Sequence, residues 1–582
     1  MIALQNNYSK LSLYTIGFIS LLLIYFFVWR TDAIGYGSVI AGDGNDYYSY
    51  LMAIFIDHNL GHQDTAPWYV IQTPTGTINV HFVGVSLMLL PFFLIGYGWA
   101  NIGGYEINGI SEPFQKMISI GALFYAIMGF YFIRKLLLKK EYSEIHIALI
   151  SLLVFFGTHL LSYTIIEPTM SHVYSFALIS AFMYTSYRVF NTYKFSYFIA
   201  SGILFGLIIL VRPINAIILF IIPLWSDSWS EFIYRTKYIL WNNKLKMFSA
   251  GTVFKLTISI QSLVWYFQNG KLMQYTYKDN GLYLFNPSPI KMLFGFNGGL
   301  FIYTPLCLLL LFGLIPMYKE QRYSFFVLSA FLLFVFYILS SHWAYTYFDG
   351  ISIRALVDFL PVFALSGVAL IKKVSEIKIK PIALSGITLA ALFNVLICYQ
   401  YKAGIIPAAG MNYEKFKYVL FKTDRKYVGV LGGCNDLRPY SKNHPDAIYK
   451  FENTFNDSEY YTYRQNEFGV EYRLDKVGFE TSKIFIRLKF KRKEAELNNS
   501  ENAMLVLDVQ SPDGKRKSFQ SYKLNDTPST ECCDWKERRF TVTMDGNIKA
   551  DDRLVVYIWN QDKKEFHIDD FKVEVYNYNY SN

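Results

Sequence analysis

The sequence predicts a polytopic α-helical membrane protein that ends in an antiparallel β-sandwich. Of its 582 residues, 53% are hydrophobic and only 17% are charged, whereas about a quarter of a soluble domain is charged. The hydrophobic residues cluster into runs close to the ~20 residues that a hydrocarbon core of ~30 Å requires. Beyond residue 450, apolar and polar side chains alternate instead, which is typical of strands with one buried face.

Twelve apolar runs account for the helical part of the chain. Lys and Arg concentrate in the short segments between these runs, as they do in the cytoplasmic loops of membrane proteins. The net charge of +10 is therefore explained by membrane orientation and does not indicate a nucleic-acid partner. The runs lie at 11–29, 82–99, 116–138, 145–166, 172–190, 195–211, 213–226, 248–268, 297–318, 323–341, 354–371 and 381–400.

The run at 82–99 is expected to lie in the membrane interface, because Pro91 interrupts it. If all twelve runs crossed the bilayer, the basic cluster at 134–140 would lie opposite Lys10, against the usual location of such clusters. About eleven crossings remain, with a cytoplasmic N-terminus. Segment 30–115 is then a large outer loop that holds seven carboxylates.

The composition divides the chain into three parts. Residues 1–402 contain the apolar runs, and residues 403–449, rich in Gly, Pro and Lys, are expected to form a linker. Residues 450–582 contain alternating runs such as RLVVYIW at 553–559, separated by turn signals such as Asp545-Gly546. This last part is expected to form an extracytoplasmic β-sandwich with a core of its own.

Two carboxylates lie near the start of the outer loop. Asp43 and Asp46 belong to GDGNDYYSY at 42–50, and YYSYLMAIFI at 47–56 predicts an amphipathic helix. Side chains three residues apart share one face of a helix, so the two carboxylates could bind a cation, or their repulsion could raise the pKa of one of them. An ionised carboxylate could also act as a general base. Solvated loop acids would show the same pattern.

This loop resembles the first outer loop of the GT-C superfamily of membrane glycosyltransferases, in particular the protein O-mannosyltransferases and the aminoarabinose transferases. Those enzymes carry an Asp-Glu pair just beyond the first span and a Tyr four residues after the Asp. Asp43 and Tyr47 match this motif, whereas Gly44 stands in place of the Glu. The chain is also similar to a group of uncharacterised membrane glycosyltransferases from Bacteroidetes-type bacteria. The shared stretches are GDGNDYYSYLMAIF (42–55), TPTGTINVHFVGVSLMLLPFF (73–93), IEPTMSHVYSF (166–176), LVRPINAIILF (210–220), GGLFIYTPL (298–306) and RALVDFLP (354–361).

The resemblance implies an enzyme of the bacterial inner membrane. It would move a hexosyl or pentosyl group from a polyprenyl-phosphate carrier to an acceptor hydroxyl on the extracytoplasmic side, with inversion. The acceptor would be a protein, a glycolipid or a polysaccharide. Asp43 would be the base, with Asp46 beside it. A divalent cation stays open because acidic residues cluster in the outer loop, although no ligand spacing supports one. The ending FHIDDFKVEVY (566–576) resembles carbohydrate-binding jelly rolls.

Cationic residues at the outer ends of the runs are candidates for binding the donor phosphate. Arg212 separates two short runs and Arg354 begins another, and a guanidinium binds phosphate through two hydrogen bonds. Lys271 and Lys278 belong to the outer segment 269–296 and could assist. The alternative to phosphate binding, for both arginines, is that the side chain only extends its charge to the membrane interface.

Further polar and aromatic residues could contact the substrate. The tyrosines Tyr47 and Tyr48 follow the acidic pair, and Asp358, one turn after Arg354, could also hold that arginine in place. The remaining candidates are Glu167 and His172, which flank a short outer turn, and Trp343 and Tyr345 in the outer segment 341–353. Structural hydrogen bonding or an interfacial aromatic belt would also explain these four.

Two other classes of function remain open. A transporter or flippase for lipid-linked sugars would also need many spans, but transport sites usually lie at the middle of the membrane, and here the polar residues concentrate in outer loops. A non-catalytic membrane anchor that displays a glycan-binding sandwich would need far fewer crossings.

Overall fold

The computed structural model describes residues 7–29, 39–61, 70–73, 76–276, 281–342, 350–376, 380–408, 410–432, 448–453, 460–496, 502–525, 527 and 533–577. The chain forms two compact units. The first is helical and comprises Met1–Phe294, Gly299–His342 and Ser352–Cys398. The second comprises Gly295–Gly298, Trp343–Ile351 and Tyr399–Asn582, and it contains the β-strands from residue 449 onward.

All twelve apolar runs contain helical structure. The α-helices are α1 (Tyr8–Ile24), α2 (Asp43–Phe55), α3 (Gly84–Gly103), α4 (Glu112–Lys139), α5 (Glu144–Phe156), α6 (Leu160–Ile165), α7 (Ser171–Thr192), α8 (Phe195–Val211), α9 (Trp229–Asn242), α10 (Lys244–Asn269), α11 (Pro289–Phe294), α12 (Leu300–Tyr303), α13 (Pro305–Leu311), α14 (Leu314–Glu320), α15 (Arg322–Ser340), α16 (Leu360–Glu376), α17 (Lys380–Lys402) and α18 (Tyr413–Val419). A π turn at Tyr25–Trp29 extends α1, and 3₁₀ helices occupy Pro213–Trp225, Arg354–Phe359 and Arg425–Tyr427.

Seven helical segments within the described residues are long and apolar enough to cross a membrane, and an eighth counts if Pro213–Trp225 and Trp229–Asn242, bent by 109°, form one span. The expectation of a polytopic helical protein is thereby confirmed. The count of about eleven crossings stays a prediction, as does the interfacial position of 82–99, since Gly84–Gly103 has the length and composition of a span.

Helix α7 lies at the centre of the helical unit. Eighteen of its 22 residues are buried, as expected of a helix that neighbours cover on all sides. It packs against α4, α8 and the 3₁₀ helix Arg354–Phe359. In its first turn, His172 contacts Asp358 of that 3₁₀ segment inside the protein.

The break between α8 and the next helix follows from one proline. Pro213 disfavours helical backbone at the residue before it, and Arg212 has extended angles, with φ of −152° and ψ of 110°. Helix α8 therefore ends at Val211, and a 3₁₀ helix begins at Pro213. Arg212 lies at the bend.

The second unit contains a sandwich of two antiparallel sheets, which confirms the expected C-terminal β structure. One sheet has the order β5-β10-β7-β8, and the other has β3-β11-β6-β9, with β4 paired to β11. Inward side chains such as Ile486, Leu507, Val556 and Val573 form the core. The strands are β3 (Tyr449–Asn453), β4 (Tyr461–Tyr463), β5 (Phe468–Leu474), β6 (Thr481–Glu494), β7 (Ala503–Gln510), β8 (Arg516–Lys523), β9 (Lys536–Ile548), β10 (Arg553–Asn560) and β11 (Phe566–Asn577), and a small hairpin of β1 (Val70–Thr73) and β2 (Gly76–Asn79) belongs to the helical unit.

Candidate active site

Asp43 lies at the start of α2, where the sequence predicts a turn followed by a helix. Gly42 has a φ of 56°, a left-handed conformation that glycine adopts without steric cost. The N–H of Gly44 donates to the carbonyl of Ala41 at 3.0 Å and begins the helix. The turn therefore places Asp43 in the first turn of α2, at its exposed end.

Asp43 forms an ion pair with Arg354. The Oδ2 atom of Asp43 lies 2.8 Å from Nη2 of Arg354, and the two side chains are 18% and 11% exposed. The sequence predicts both residues as site candidates but not their pairing. A carboxylate and a guanidinium thus meet at a position that solvent still reaches.

Arg212 pairs with Asp358, which corrects the expectation that Asp358 holds Arg354. The Nη1 atom of Arg212 lies 3.4 Å from Oδ2 of Asp358, whose side chain is fully buried. The prediction assumed an α-helix, in which residues four apart share a face. Arg354–Phe359 is instead a 3₁₀ helix, and with three residues per turn the residue four positions after Arg354 lies on a different face.

Two further side chains hold the Asp358 carboxylate. Nδ1 of His172 lies 2.8 Å from its Oδ1 atom, and Nδ2 of Asn215 donates to Oδ2 at 2.8 Å. The Nη1 atom of Arg212 also lies 3.1 Å from Nδ1 of His172. Buried carboxylates need such partners, and the network fixes the direction of the Arg212 guanidinium. His172 and Asp358 thus position Arg212 in this structure, which is the structural alternative that the sequence leaves open beside substrate contact.

The turn at 167–170 joins these two ion pairs. Sδ of Met170 lies 4.0 Å from Nη1 of Arg354, and two residues later His172 contacts Asp358. In the same turn, Oγ1 of Thr169 donates to the carbonyl of Val39 at 2.8 Å. Glu167 begins this turn, and its carbonyl accepts from the N–H of Met170 at 3.1 Å.

The packing of this turn explains why Gly44 replaces the Glu of the related motif. A Cβ at position 44 would lie 2.0 Å from Oγ1 of Thr169, far inside contact distance. A glutamate cannot occupy this position unless the turn moves. Among the described residues, no group of three His, Cys, Asp or Glu side chains converges at one point.

Asp46, Tyr47 and Tyr48 face the protein interior. Asp46 is fully buried, and its Oδ2 atom lies 3.2 Å from Nδ1 of His81. The Tyr47 ring packs on the His81 ring at 4.8 Å between centroids, and the Tyr48 hydroxyl donates to the carbonyl of Gly109 at 2.5 Å. These contacts indicate that all three residues hold α2 in place, and none lines an open surface.

The other predicted residues lie apart from these pairs or outside the described chain. Lys271 is exposed just after α10, with its N–H donating to Oδ1 of Asn269 at 2.9 Å. Lys278, Trp343 and Tyr345 fall outside the described residues. Sequence analysis missed Asn215 and Thr169. Asn215 had a usable signal, because it follows Arg212 by three residues and lies in the same VRPIN stretch.

No protein-family model and no curated protein matches the sequence. Among solved structures, the Archaeoglobus fulgidus oligosaccharyltransferase in complex with Zn and sulfate is 12% identical, with a TM-score of 0.39 over 74% of this chain and 58% of its own. Arabinosyltransferase EmbB from Mycobacterium smegmatis is 10% identical, with a TM-score of 0.39 over 97% and 64%. An arabinose-bound α-L-arabinofuranosidase is 10% identical, with a TM-score of 0.16 over 25% and 26%. This chain spans less than two thirds of each of these three chains, and likenesses this weak establish neither family nor activity.

Proposed function

We propose that the protein is an integral membrane glycosyltransferase that moves a sugar from a polyprenyl-phosphate carrier to an acceptor hydroxyl. The observation that carries this proposal is the ion pair between Asp43 and Arg354, at 2.8 Å, which the 167–170 turn joins to a second guanidinium on Arg212. The reaction needs a carboxylate that can accept a proton and cations that can bind a phosphate. This cluster contains both.

In the proposed reaction, Asp43 accepts the proton of the acceptor hydroxyl while the hydroxyl oxygen attacks the anomeric carbon. The bond between that carbon and the phosphate oxygen breaks, and the phosphate leaves with the electron pair. Arg354 and Arg212 offset the charge on the leaving phosphate, an effect that is usually the largest catalytic term. A single displacement inverts the anomeric carbon, and Asp43 then releases its proton to water.

The location of this reaction follows from the predicted topology. The basic segments are expected to be cytoplasmic, so Asp43 and Arg354 would face the extracytoplasmic side of a bacterial inner membrane. Acceptors available there include proteins, glycolipids and polysaccharides. The Asp43–Arg354 pair is partly accessible, with side chains that are 18% and 11% exposed. This accessibility favours surface transfer over transport through the membrane.

We also infer that the sandwich binds a glycan on the outer face of its four-stranded sheet. Trp559 and Phe468 lie opposite each other on β10 and β5, with nearly parallel rings at 6.4 Å, and Phe468 is 55% exposed. Beside these rings, Nε1 of Trp559 donates to Oε1 of Glu467 at 3.0 Å, and the Glu467 side chain is 41% exposed. Aromatic faces next to charged hydrogen-bonding groups suit the apolar faces and hydroxyls of a sugar.

The transferase proposal is tested with the full chain in lipid nanodiscs and radiolabelled polyprenyl-phosphate sugars. Wild type should release sugar from the carrier, and Asp43→Asn should lose this activity, because an amide cannot accept the proton. Asp57→Asn is the matched control, since Asp57 is an exposed carboxylate just after α2. Turnover that survives in Asp43→Asn would refute the assignment of the base, and wild type that turns over no carrier would refute the transferase.

A further inference from the structure

An apolar cavity of about 690 Å³ lies in the helical unit, on residues that the proposed reaction does not use. Helices α7, α8, α9 and α10 enclose it together with the 3₁₀ helix Pro213–Trp225. Its walls include the rings of Phe205, Phe220 and Phe254, and the hydroxyls of Ser186, Ser201 and Thr236 are its few polar groups. Its volume falls in the range of ligand sites.

The cavity extends away from the candidate active site. The part of α8 that lines it, Phe198–Phe205, ends seven residues before Arg212, or about 10 Å along a helix at 1.5 Å per residue. Water does not fill a cavity with such walls. Leu219 and Phe220, on its margin, are 40% and 63% exposed. A hydrocarbon chain of the surrounding bilayer can therefore enter.

Helix α9 forms one wall of this cavity. It is bent by 109° from the preceding 3₁₀ helix, and its aromatic residues Trp229, Tyr234 and Trp241 are 57%, 68% and 78% exposed. Exposed aromatic and basic residues on one short helix are typical of helices that lie in a membrane interface. The mouth of the cavity is thus expected at the level of lipid headgroups.

The segments that line the cavity carry more basic than acidic residues. Between Ser186 and Gly251, leaving out Arg212 at the far end, the basic residues outnumber the acidic ones by six to two. The basic residues are Arg188, Lys194, Arg235, Lys237, Lys244 and Lys246, and the acidic ones are Asp227 and Glu231. Clusters of this kind attract anionic headgroups. We propose that the cavity binds an acyl chain of an anionic phospholipid, whose headgroup lies against these cations.

The chain offers a well-matched pair of substitutions to test this site. Gly251 lines the cavity, and a Cβ added there meets nothing within 4 Å. Gly251→Phe should therefore fill the cavity without moving the backbone. Gly386→Phe is the control, because Gly386 lies on α17, outside the cavity lining, and its Cβ position is equally open.

The measurement is lipid mass spectrometry of the full chain after exchange into nanodiscs of phosphatidylglycerol and phosphatidylcholine, followed by detergent washing. Wild type and Gly386→Phe should retain phosphatidylglycerol in preference to phosphatidylcholine, and Gly251→Phe should lose the retained lipid. Lys237→Gln with Lys244→Gln should weaken phosphatidylglycerol retention about fivefold per lysine and leave phosphatidylcholine unchanged. Both lysines are exposed, so this variant should fold.

Three outcomes would overturn the proposal. The first is equal retention of the two lipids by wild type. The second is equal phosphatidylglycerol retention by a folded Gly251→Phe and by Gly386→Phe. If Gly251→Phe does not fold, the second outcome is instead that the lysine substitutions leave phosphatidylglycerol retention unchanged. The third is displacement of the lipid by added polyprenyl phosphate, which would assign the cavity to the prenyl tail of the donor.

Discussion

Replacing Gly44 by alanine should distort the candidate active site, although the change adds a single carbon. The new Cβ would lie 2.0 Å from Oγ1 and 2.6 Å from Cβ of Thr169, so α2 and the 167–170 turn must separate. The hydrogen bond from Thr169 to Val39, at 2.8 Å, would then be lost. Overpacking costs about 1–3 kcal/mol and a lost hydrogen bond costs about 1 kcal/mol. We therefore expect a destabilisation of roughly 2–4 kcal/mol.

This loss of stability is measured by heating the full chain in detergent and monitoring its unfolding by size-exclusion chromatography. Gly98→Ala is the control, because a Cβ at Gly98 on α3 meets nothing within 4 Å and alanine favours a helix over glycine by about 1 kcal/mol. Thr169→Gly should partly restore Gly44→Ala, because it removes both clashing atoms, whereas Thr169→Ala should restore less. Wild-type stability of Gly44→Ala, or a double variant no more stable than the single one, would refute this packing argument.

Two further predictions concern the second ion pair and the sandwich. Asp358→Asn and Arg212→Gln should each lower kcat/KM for the labelled donor about 10- to 100-fold, roughly 1.4–2.8 kcal/mol. The two effects should not add in the double variant, because Asp358 acts through Arg212. Additive losses would contradict this link. Trp559→Ala should weaken binding of soluble oligosaccharides to the full chain about tenfold, measured by calorimetry. Trp535→Ala, just before β9 of the other sheet, should not weaken it, and equal losses would exclude the four-stranded face.

The helices were predictable because a run of consecutive apolar residues is visible in the sequence without knowledge of distant contacts. Each apolar run contains helical structure, and the break at Arg212-Pro213 is visible in the sequence because proline restricts the residue before it. The sandwich was predictable for the same reason, since alternation places Leu554, Val556 and Ile558 of β10 inside. The number of crossings was less accessible, because length and composition do not distinguish an interfacial helix from a span.

The pairing of the site residues depends on contacts between distant segments, which local patterns do not encode. Asp43 was predictable as a carboxylate of the outer loop and Arg354 as a cation at the start of an apolar run, but only the fold brings them to 2.8 Å. The expected pair of Arg354 with Asp358 was wrong because the segment is a 3₁₀ helix. The sequence does not show whether Tyr48 contacts a sugar or packs in the core, because a tyrosine next to an acidic residue is compatible with both roles.

The two arginines should have different tasks, because their partners differ. Asp358 is fully buried and also bound by His172 and Asn215, so it cannot leave Arg212 without stranding a buried charge, which costs about 3–5 kcal/mol. Asp43 and Arg354 keep 18% and 11% of their side chains exposed, so water can solvate the Asp43 carboxylate when the pair separates, and no fully buried charge is left without a partner. A donor phosphate can therefore take Arg354 from Asp43 while Arg212 stays fixed.

This exchange would release the base only after the donor has bound, and the proposed transferase should then bind its donor before its acceptor. Initial rates at varied concentrations of both substrates, with a non-reactive donor analogue as inhibitor, measure the order. The analogue should compete with the donor and not with the acceptor. An acceptor that binds the free enzyme as tightly as the donor-bound enzyme would show that Asp43 is available without the donor, and that its pairing with Arg354 does not control the reaction.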